Sequence, residues 1–367
     1  MFDGPHRFDA ARLARRGKFV NARSLGEWSG VGECKSKFHL VPSINGTVAP
    51  DHTELGLLAQ DQTGHASQMK VRIGFGLGTR SDSGGQERFR SLVDGLEAHG
   101  FDSLWLSERI NGTAPDPLMG MAYAVGRTTK LKVGMSVLVL PGRNPVVLAK
   151  AIASLDQLSG GRVLPAFGLG VANAAEHQAF GVERTDRGGW FNEALPLMRR
   201  LWTEDHVSHA GKRFTIDDVT VRPKPMQQPL DVWLGGISPL ELRRVGRHGD
   251  GWLPSFCVPA QVAEARRTIE QIAKENDREI DAEHFGALIA YRRDGEPISD
   301  AYREIVATRL PGADPADVMP TKAELPLVIQ RFIDVGFSKF VIIPANEPGD
   351  WDDELAEMAS LTRPLEN

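Results

Sequence analysis

Two cysteines in 367 residues, Cys34 and Cys257, leave no CxxC spacing anywhere in the chain. That excludes a disulfide framework and a thiolate metal site, and it fits a reducing, cytoplasmic setting. No apolar run approaches the roughly 18 residues that a bilayer span needs, and the first residues lack the apolar stretch of a secretory signal. No membrane association is expected. Positive charge is not in excess: the net charge is -5 and the pI about 6.1, whereas a nucleic-acid partner usually calls for a basic face. Motifs that announce self-sufficient chemistry are missing too. There is no Walker loop, no HExxH and no GxSxG, and "GFGLGT" at 74–79 is not G-x-G-x-x-G. His206 and His209 stand three apart in a stretch read as a hairpin, with no third ligand near them in the sequence, so no metal is expected. The hard chemistry is therefore expected to come from a bound cofactor.

What is present is an ordinary soluble composition, 41% hydrophobic and 25% charged, in a chain long enough for a sizeable core. Residues 1–68 show neither helical nor alternating periodicity, and four scattered histidines (His6, His39, His52, His65) form no pair. This stretch reads either as a disordered or regulatory arm or as sequence ahead of a true start at Met69. From Lys70 the pattern becomes regular. Apolar runs at 71–77, 103–107, 133–140, 162–169, 232–235, 251–254, 285–292 and 339–344 alternate with amphipathic helical patterns. Eight such βα units predict a (β/α)8 barrel with insertions over 69–367. In "QERFRSLVDGLEAHGF" the buried stripe is Phe89, Leu92, Val93 and Leu96, with Gly100 as the C′ glycine. In "NPVVLAKAIASLDQLSGGR" Asn144 is the N-cap, Pro145 opens the helix, Leu148, Ile152, Leu155 and Leu158 form the stripe, and Gly160 ends it. Residues 204–230 read as a β-hairpin followed by a Pro-rich connection, and 294–320 as a long loop carrying a short helix, a place for a lid.

The working face of such a barrel is the C-terminal end of its strands. The second strand ends in Ser107, Glu108 and Arg109, and the third in "GMSVLVLPGRNP". The fourth runs through Gly168 and Gly170 to a helix capped by Asn173, with Glu176 at N3. The fifth runs through Gly235 and Gly236 to the capping box Ser238-Pro239-Leu240-Glu241. Two glycine-fed helix N-termini on successive strands predict an anion cradle.

The stretches "GLEAHGFDSLWLSE", "TTKLKVGMSVLVLPGRNPVVLAKAIASLDQLSGGR", "FGLGV", "MRRLWTEDHVSHAGKRFTI", "VRPKPMQQPLDVWLGGISPLELRRVGRHGDGWLPS" and "FSKFVIIP" together resemble the luciferase-like monooxygenase family. The likeness is greater to its actinobacterial branch that uses the deazaflavin coenzyme F420, and it runs from about Lys70 onward. The resemblance implies a cis peptide between Ser136 and Val137, forming a bulge under the flavin ring. It implies that Gly168, Gly170 and Val171 wrap the cofactor phosphate, that Gly235, Gly236 and Ile237 form a second phosphate-side loop, and that Glu108 contacts the polar edge of the ring. Arg109 and Val171 stand where deazaflavin-dependent sugar-phosphate dehydrogenases carry a histidine and a catalytic glutamate, so that reaction is not expected. Arg109 cannot act as a base near neutral pH. It is placed, with Glu108, as a catalytic candidate that binds an anion or polarises a carbonyl. The expected activity is F420-dependent hydride transfer with a small-molecule substrate. The alternatives are an FMN-dependent two-component monooxygenase and a non-catalytic flavin-binding barrel. A homodimer is expected. A chain beginning at Met69 is predicted to keep the thermal stability and coenzyme affinity of the full chain, as measured by thermal melts and cofactor titration. A clear loss in either would show that the first 68 residues pack on the barrel.

Overall fold

The computed structural model describes residues 69–78 and 84–367; the predicted arm or leader lies outside the described residues. The strands are β1 (Arg72–Leu77), β2 (Ser103–Leu106), β3 (Lys132–Met135), β4 (Leu138–Val139), β5 (Val163–Leu164), β6 (Ala166–Gly168), the hairpin β7 (Val207–Ala210) and β8 (Thr215–Val219), β9 (Trp233–Leu234), β10 (Gly251–Trp252), β11 (Gly286–Tyr291) and β12 (Lys339–Pro344). Helices alternate with them, and every pairing outside the hairpin is parallel. One sheet runs β11-β12-β1-β2-β3-β5 and the other β10-β9-β6-β4. Bridges from Trp252 to Phe285 and from Ser255 to Leu288 join β10 to β11. The predicted third strand is β3 and β4, interrupted at Ser136-Val137. The fourth is β5 and β6, interrupted at Pro165, which has no N–H to give the ladder. Counted this way, each of the eight predicted strand positions is bonded to a neighbour on both sides.

Strands buried on both faces are what parallel α/β sheets require, and the two faces here do different work. Ile73, Phe75 and Leu77 belong to the large cluster packed under the helices. Trp105, Ala166, Trp233, Leu253, Val341 and Ile343 form a separate cluster inside the ring of strands. Trp105 meets Trp233 edge to face, ring centroids 6.4 Å apart, in a geometry that favours the aromatic quadrupoles. Glycines make room for them. A Cβ at Gly134 would come within 2.7 Å of the Trp105 ring, and one at Gly251 within 2.5 Å of Trp233.

Below the tryptophans lies a polar plug. Trp105 Nε1 donates to Ser103 Oγ at 2.8 Å, and that hydroxyl donates to Asp102 at 2.9 Å. Lys132 reaches the same carboxylate at 3.0 Å, and Lys339 pairs with its second oxygen. Burial opposes ionisation of Asp102, yet Lys339 and Lys132 together hold its carboxyl well below the usual range. Burial pulls the Lys339 amine down to about 8, against the pull of Asp102.

The helix from Gly85 to Ala98 buries Phe89, Leu92, Val93 and Leu96 as predicted, and Gly100 has φ 75°. In the helix Pro145–Ser159, Asn144 caps Val146 and Val147 N–H, and Gly160 ends it at φ 69°. Leu148, Ile152 and Leu155 are buried there, but Leu158 is 79% exposed. Three residues beyond Leu155 it has rotated off the core stripe, and the adjacent Ser159 is buried instead. The hairpin is present, with His206 on Asp218 and His209 on Glu193. The second insertion holds two helices, Asp300–Arg309 and Pro315–Val318, rather than the single one predicted. Their own small core includes Ile298, Tyr302 and Val306. Lys322 pins the end of this insertion to Glu354 and Glu357, each at 2.7 Å.

Asp102→Ala should cost about 3 kcal/mol, because two lysines lose the charge that justifies burying one of them. Denaturant unfolding measures this, and adding Lys339→Met should recover most of the loss. A neutral Asp102→Ala would mean that the plug is solvated.

Candidate functional site

A cavity of about 220 Å³ opens among the C-terminal ends of the strands, lined from β2, the β3–β4 interruption, β6, β9 and the segments after β6 and β10. Its wall starts from the third strand. The Ser136–Val137 peptide is cis, as the resemblance implied. The end of β2 holds the two carbonyls there: Ser107 Oγ donates to Ser136 O at 3.1 Å and Glu108 N–H to Val137 O at 3.2 Å. The Val137 side chain lies on Gly168, where a Cβ would come within 2.4 Å of Val137 Cγ2. Gly168 is thus the space that Val137 fills. Gly235 is different. A Cβ there would meet only Leu253 O at 3.4 Å and Val137 Cγ1 at 3.7 Å, so its missing side chain leaves open room.

The tight corner Pro141-Gly142-Arg143-Asn144 serves Glu108. Arg143 turns back so that its Nε donates to Val139 O at 2.9 Å while its Nη2 pairs with the Glu108 carboxylate. Val139 N–H donates to the other carboxylate oxygen at 2.7 Å. Burial raises the Glu108 pKa, and Arg143 and the Val139 N–H oppose that rise. Glu108 lines the cavity; Arg109 does not. The Arg109 Nε faces Glu176 Oε1 at 3.5 Å, and the same oxygen accepts the Ile110 N–H at 3.1 Å. Glu176 is buried and lines the cavity. From its place at N3 its carboxylate therefore faces the loop after β2. Only its position on the short helix Ala174–Phe180, next to the strand end, hinted at this.

The two predicted anion loops both border the cavity through Gly168, Gly170, Val171, Gly235 and Gly236, whereas Ile237 stands outside the lining. Four N–H groups at the helix starts that these loops feed are already taken. Asn173 Oδ1 accepts from Ala175 and Glu176 N–H, and the Glu241 carboxylate accepts from Ile237 N–H at 3.1 Å and Ser238 N–H at 3.0 Å. Arg187, buried and unremarked in the sequence, ties the first loop down by donating to Leu169 O, Val182 O and Glu176 O. Arg244 reaches the cavity from the helix Pro239–His248, with its guanidinium 5.3 Å from the Phe191 ring centroid. Burial lowers its pKa, and Glu241 opposes that.

The remaining lining is mostly apolar, with Phe167, Leu169, Leu234, Leu253 and Leu288 beside Ser255. Among the described residues no histidine or cysteine borders the cavity, and the Ser107 and Ser136 hydroxyls lie 3.0 Å apart, bonded to each other. A slot with one apolar wall, room before Gly235 and no nucleophile–base pair fits a flat cofactor that brings its own chemistry. Gly168→Ala should lower stability by about 1–3 kcal/mol through overpacking on Val137, while Gly235→Ala should leave it nearly unchanged. Denaturant unfolding of the two variants compares them. Equal effects would mean that Val137 is free to move.

The luciferase-like monooxygenase family profile matches residues 69–322. The F420-dependent glucose-6-phosphate dehydrogenase of Segniliparus rotundus is 34% identical over 189 residues, 48% of this chain and 55% of that protein. The enzyme of the same description from Kineococcus radiotolerans is 32% identical over 167 residues, 43% of this chain and 49% of its own. Limonene 1,2-monooxygenase of Rhodococcus erythropolis is 29% identical over 198 residues, 52% of this chain and 51% of its own. The chain spans about half the length of these curated relatives. In fold it is similar to an F420-dependent secondary alcohol dehydrogenase in complex with an F420–acetone adduct (TM-score 0.68, 20% identity, 82% of this chain and 100% of that one). It is also similar to riboflavin lyase with modified FMN (TM-score 0.63, 18% identity, 81% and 92%). With the family profile covering well over half of its length, the chain belongs to the luciferase-like monooxygenase family.

Proposed function

We propose that the protein is an F420-dependent oxidoreductase that exchanges hydride between the deazaflavin and a small, uncharged organic substrate. The observation that carries this reading is the slot itself, with Val137 laid over Gly168 on one side, space before Gly235, and no histidine or cysteine in its lining among the described residues. Curated relatives named as F420-dependent support the choice of coenzyme. When bound, F420 supplies a hydride carrier at ring carbon 5 that reacts poorly with oxygen.

The chain's own part is to hold, orient and exclude water. Ser136 and Val137 support the ring, with their carbonyls fixed from Ser107 and Glu108. Gly168, Gly170 and Val171 on one side, and Gly235 and Gly236 on the other, bound the end that takes the phosphate-bearing chain. Glu108, with its pKa raised by burial, faces the polar edge of the ring and is the proton-handling group of the slot. Arg109 acts through Glu176 as a positioning residue. Glu108 and Glu176 are paired with Arg143 and Arg109 from outside the lining, and Arg244 is the one guanidinium among the lining residues, which argues against a sugar phosphate as substrate. No helix among the described residues is long and apolar enough to cross a membrane. The expected homodimer and cytoplasmic location belong to the same proposal.

Titrating the purified chain with F420 and FMN tests this. F420 should bind at least about tenfold more tightly, a difference of about 1.4 kcal/mol, and Gly235→Val should weaken that binding far more than it weakens folding. Reduced F420 should then be consumed anaerobically in the presence of small ketones, aldehydes or imines. Tighter FMN binding with oxygen-dependent turnover would select the monooxygenase reading. Coenzyme binding without turnover on any acceptor would select the non-catalytic barrel.

A further inference from the structure

We infer that Glu241 selects the coenzyme by the charge on its phosphate, admitting a phosphodiester and turning away a phosphomonoester. The inference rests on the deazaflavin reading above and assigns a residue to its specificity. The loop Gly235-Gly236 feeds the helix Pro239–His248, whose first turn faces the cavity. A helix start of this kind ordinarily offers free N–H groups to an anion. Here one carboxylate oxygen of Glu241 accepts from both Ile237 and Ser238 N–H. The carboxylate is seated against Gly236, φ 90°, where a Cβ would come within 2.4 Å of Glu241 Cδ. The protein has placed its own anion where an incoming one would bind.

One turn further along the helix, Arg244 lines the same cavity. Its Nε donates to Asn192 Oδ1 at 3.0 Å, and its plane lies by Phe191. Among the described residues no carboxylate stands within ion-pair distance of it. This end of the cavity therefore presents one cation and one anion, and their fields largely cancel.

Under a nearly cancelled field, desolvation decides what enters. The cost of drying an ion rises with the square of its charge. FMN ends in a phosphomonoester, close to a dianion at neutral pH because its second pKa is about 6. The phosphate of F420 is a diester and carries one charge. The dianion is penalised about four times as heavily on drying, and two of the N–H groups that would repay it, those of Ile237 and Ser238, are held by Glu241. Glu241→Gln keeps an acceptor for those N–H groups and removes the charge. The restored field of Arg244 then acts in proportion to ligand charge, so the gain for FMN should be the square of the gain for F420.

The test measures affinities of wild type and Glu241→Gln for four ligands: F420, FMN, riboflavin and 5-deazariboflavin. The last two lack the phosphate. Glu241→Gln should tighten F420 on the order of tenfold and FMN on the order of a hundredfold, with the two phosphate-free ligands unmoved. Wild type provides an independent reading. Its FMN affinity should rise as the pH falls through about 6, as the monoester takes its second proton, while riboflavin stays flat. Equal shifts for all four ligands, an unchanged FMN affinity in Glu241→Gln, or a pH-independent wild-type FMN affinity would each overturn the inference. If wild type binds and turns over F420 but Glu241→Gln changes nothing, the inference alone falls. If wild type holds neither coenzyme, the deazaflavin reading falls and takes this one with it.

Discussion

The pair of tryptophans inside the ring of strands is the constraint on which the rest of the architecture depends. A ring of parallel strands has to be filled from within, or its lining loses packing on one side. Trp105 and Trp233 fill the middle, and they fit because Gly134 and Gly251 give up their side chains to them. Below this layer the interior is closed by charge, with Asp102 between two lysines. Above it the interior is left open, and Val137 is the first side chain to enter that space. The position of the cavity follows from where the aromatic filling stops.

The polar groups around the cavity are mostly spoken for by the protein itself. Glu108 is held by Arg143 and a backbone N–H, Glu176 by Arg109 and another, and Glu241 by two. Each satisfied carboxylate costs less to bury than a free one, which is how three of them stand round a slot whose other lining residues are mostly apolar. Pre-arranged groups of this kind orient a cofactor without having to reorganise when it arrives. The unmatched group is Arg244, and this asymmetry directs attention to the end of the slot beyond Gly235.

Much of this was legible from residues alone. All eight strand positions follow from apolar runs between amphipathic patterns, because a parallel strand buried on both faces has no polar residues to interrupt it. Asn144, Asn173 and Gly160 act as the caps their types and positions indicate, since capping is settled within a few residues of the chain. Leu158 shows where periodicity fails: at a helix end the turn by 100° per residue carries a side chain off the core face, and no local pattern marks where the neighbouring helix stops. Arg109 and Ile237 show a second limit. Both sit at strand ends facing the working rim, yet neither borders the cavity, because a side chain at a rim can turn toward either of two neighbours.

The sequence by itself determined the order and kind of the elements, the glycines and prolines that end them, and the face of the barrel at which the cavity opens. Those features depend on backbone dihedrals and on burial repeated along the chain, both of which are local. Only the tertiary structure decided which carboxylates meet which cations. Glu108 and Arg143 are 35 residues apart, Arg109 and Glu176 are 67, and Asp102 and Lys339 are 237. Pairing across such distances is set by how strands align and where loops fold back.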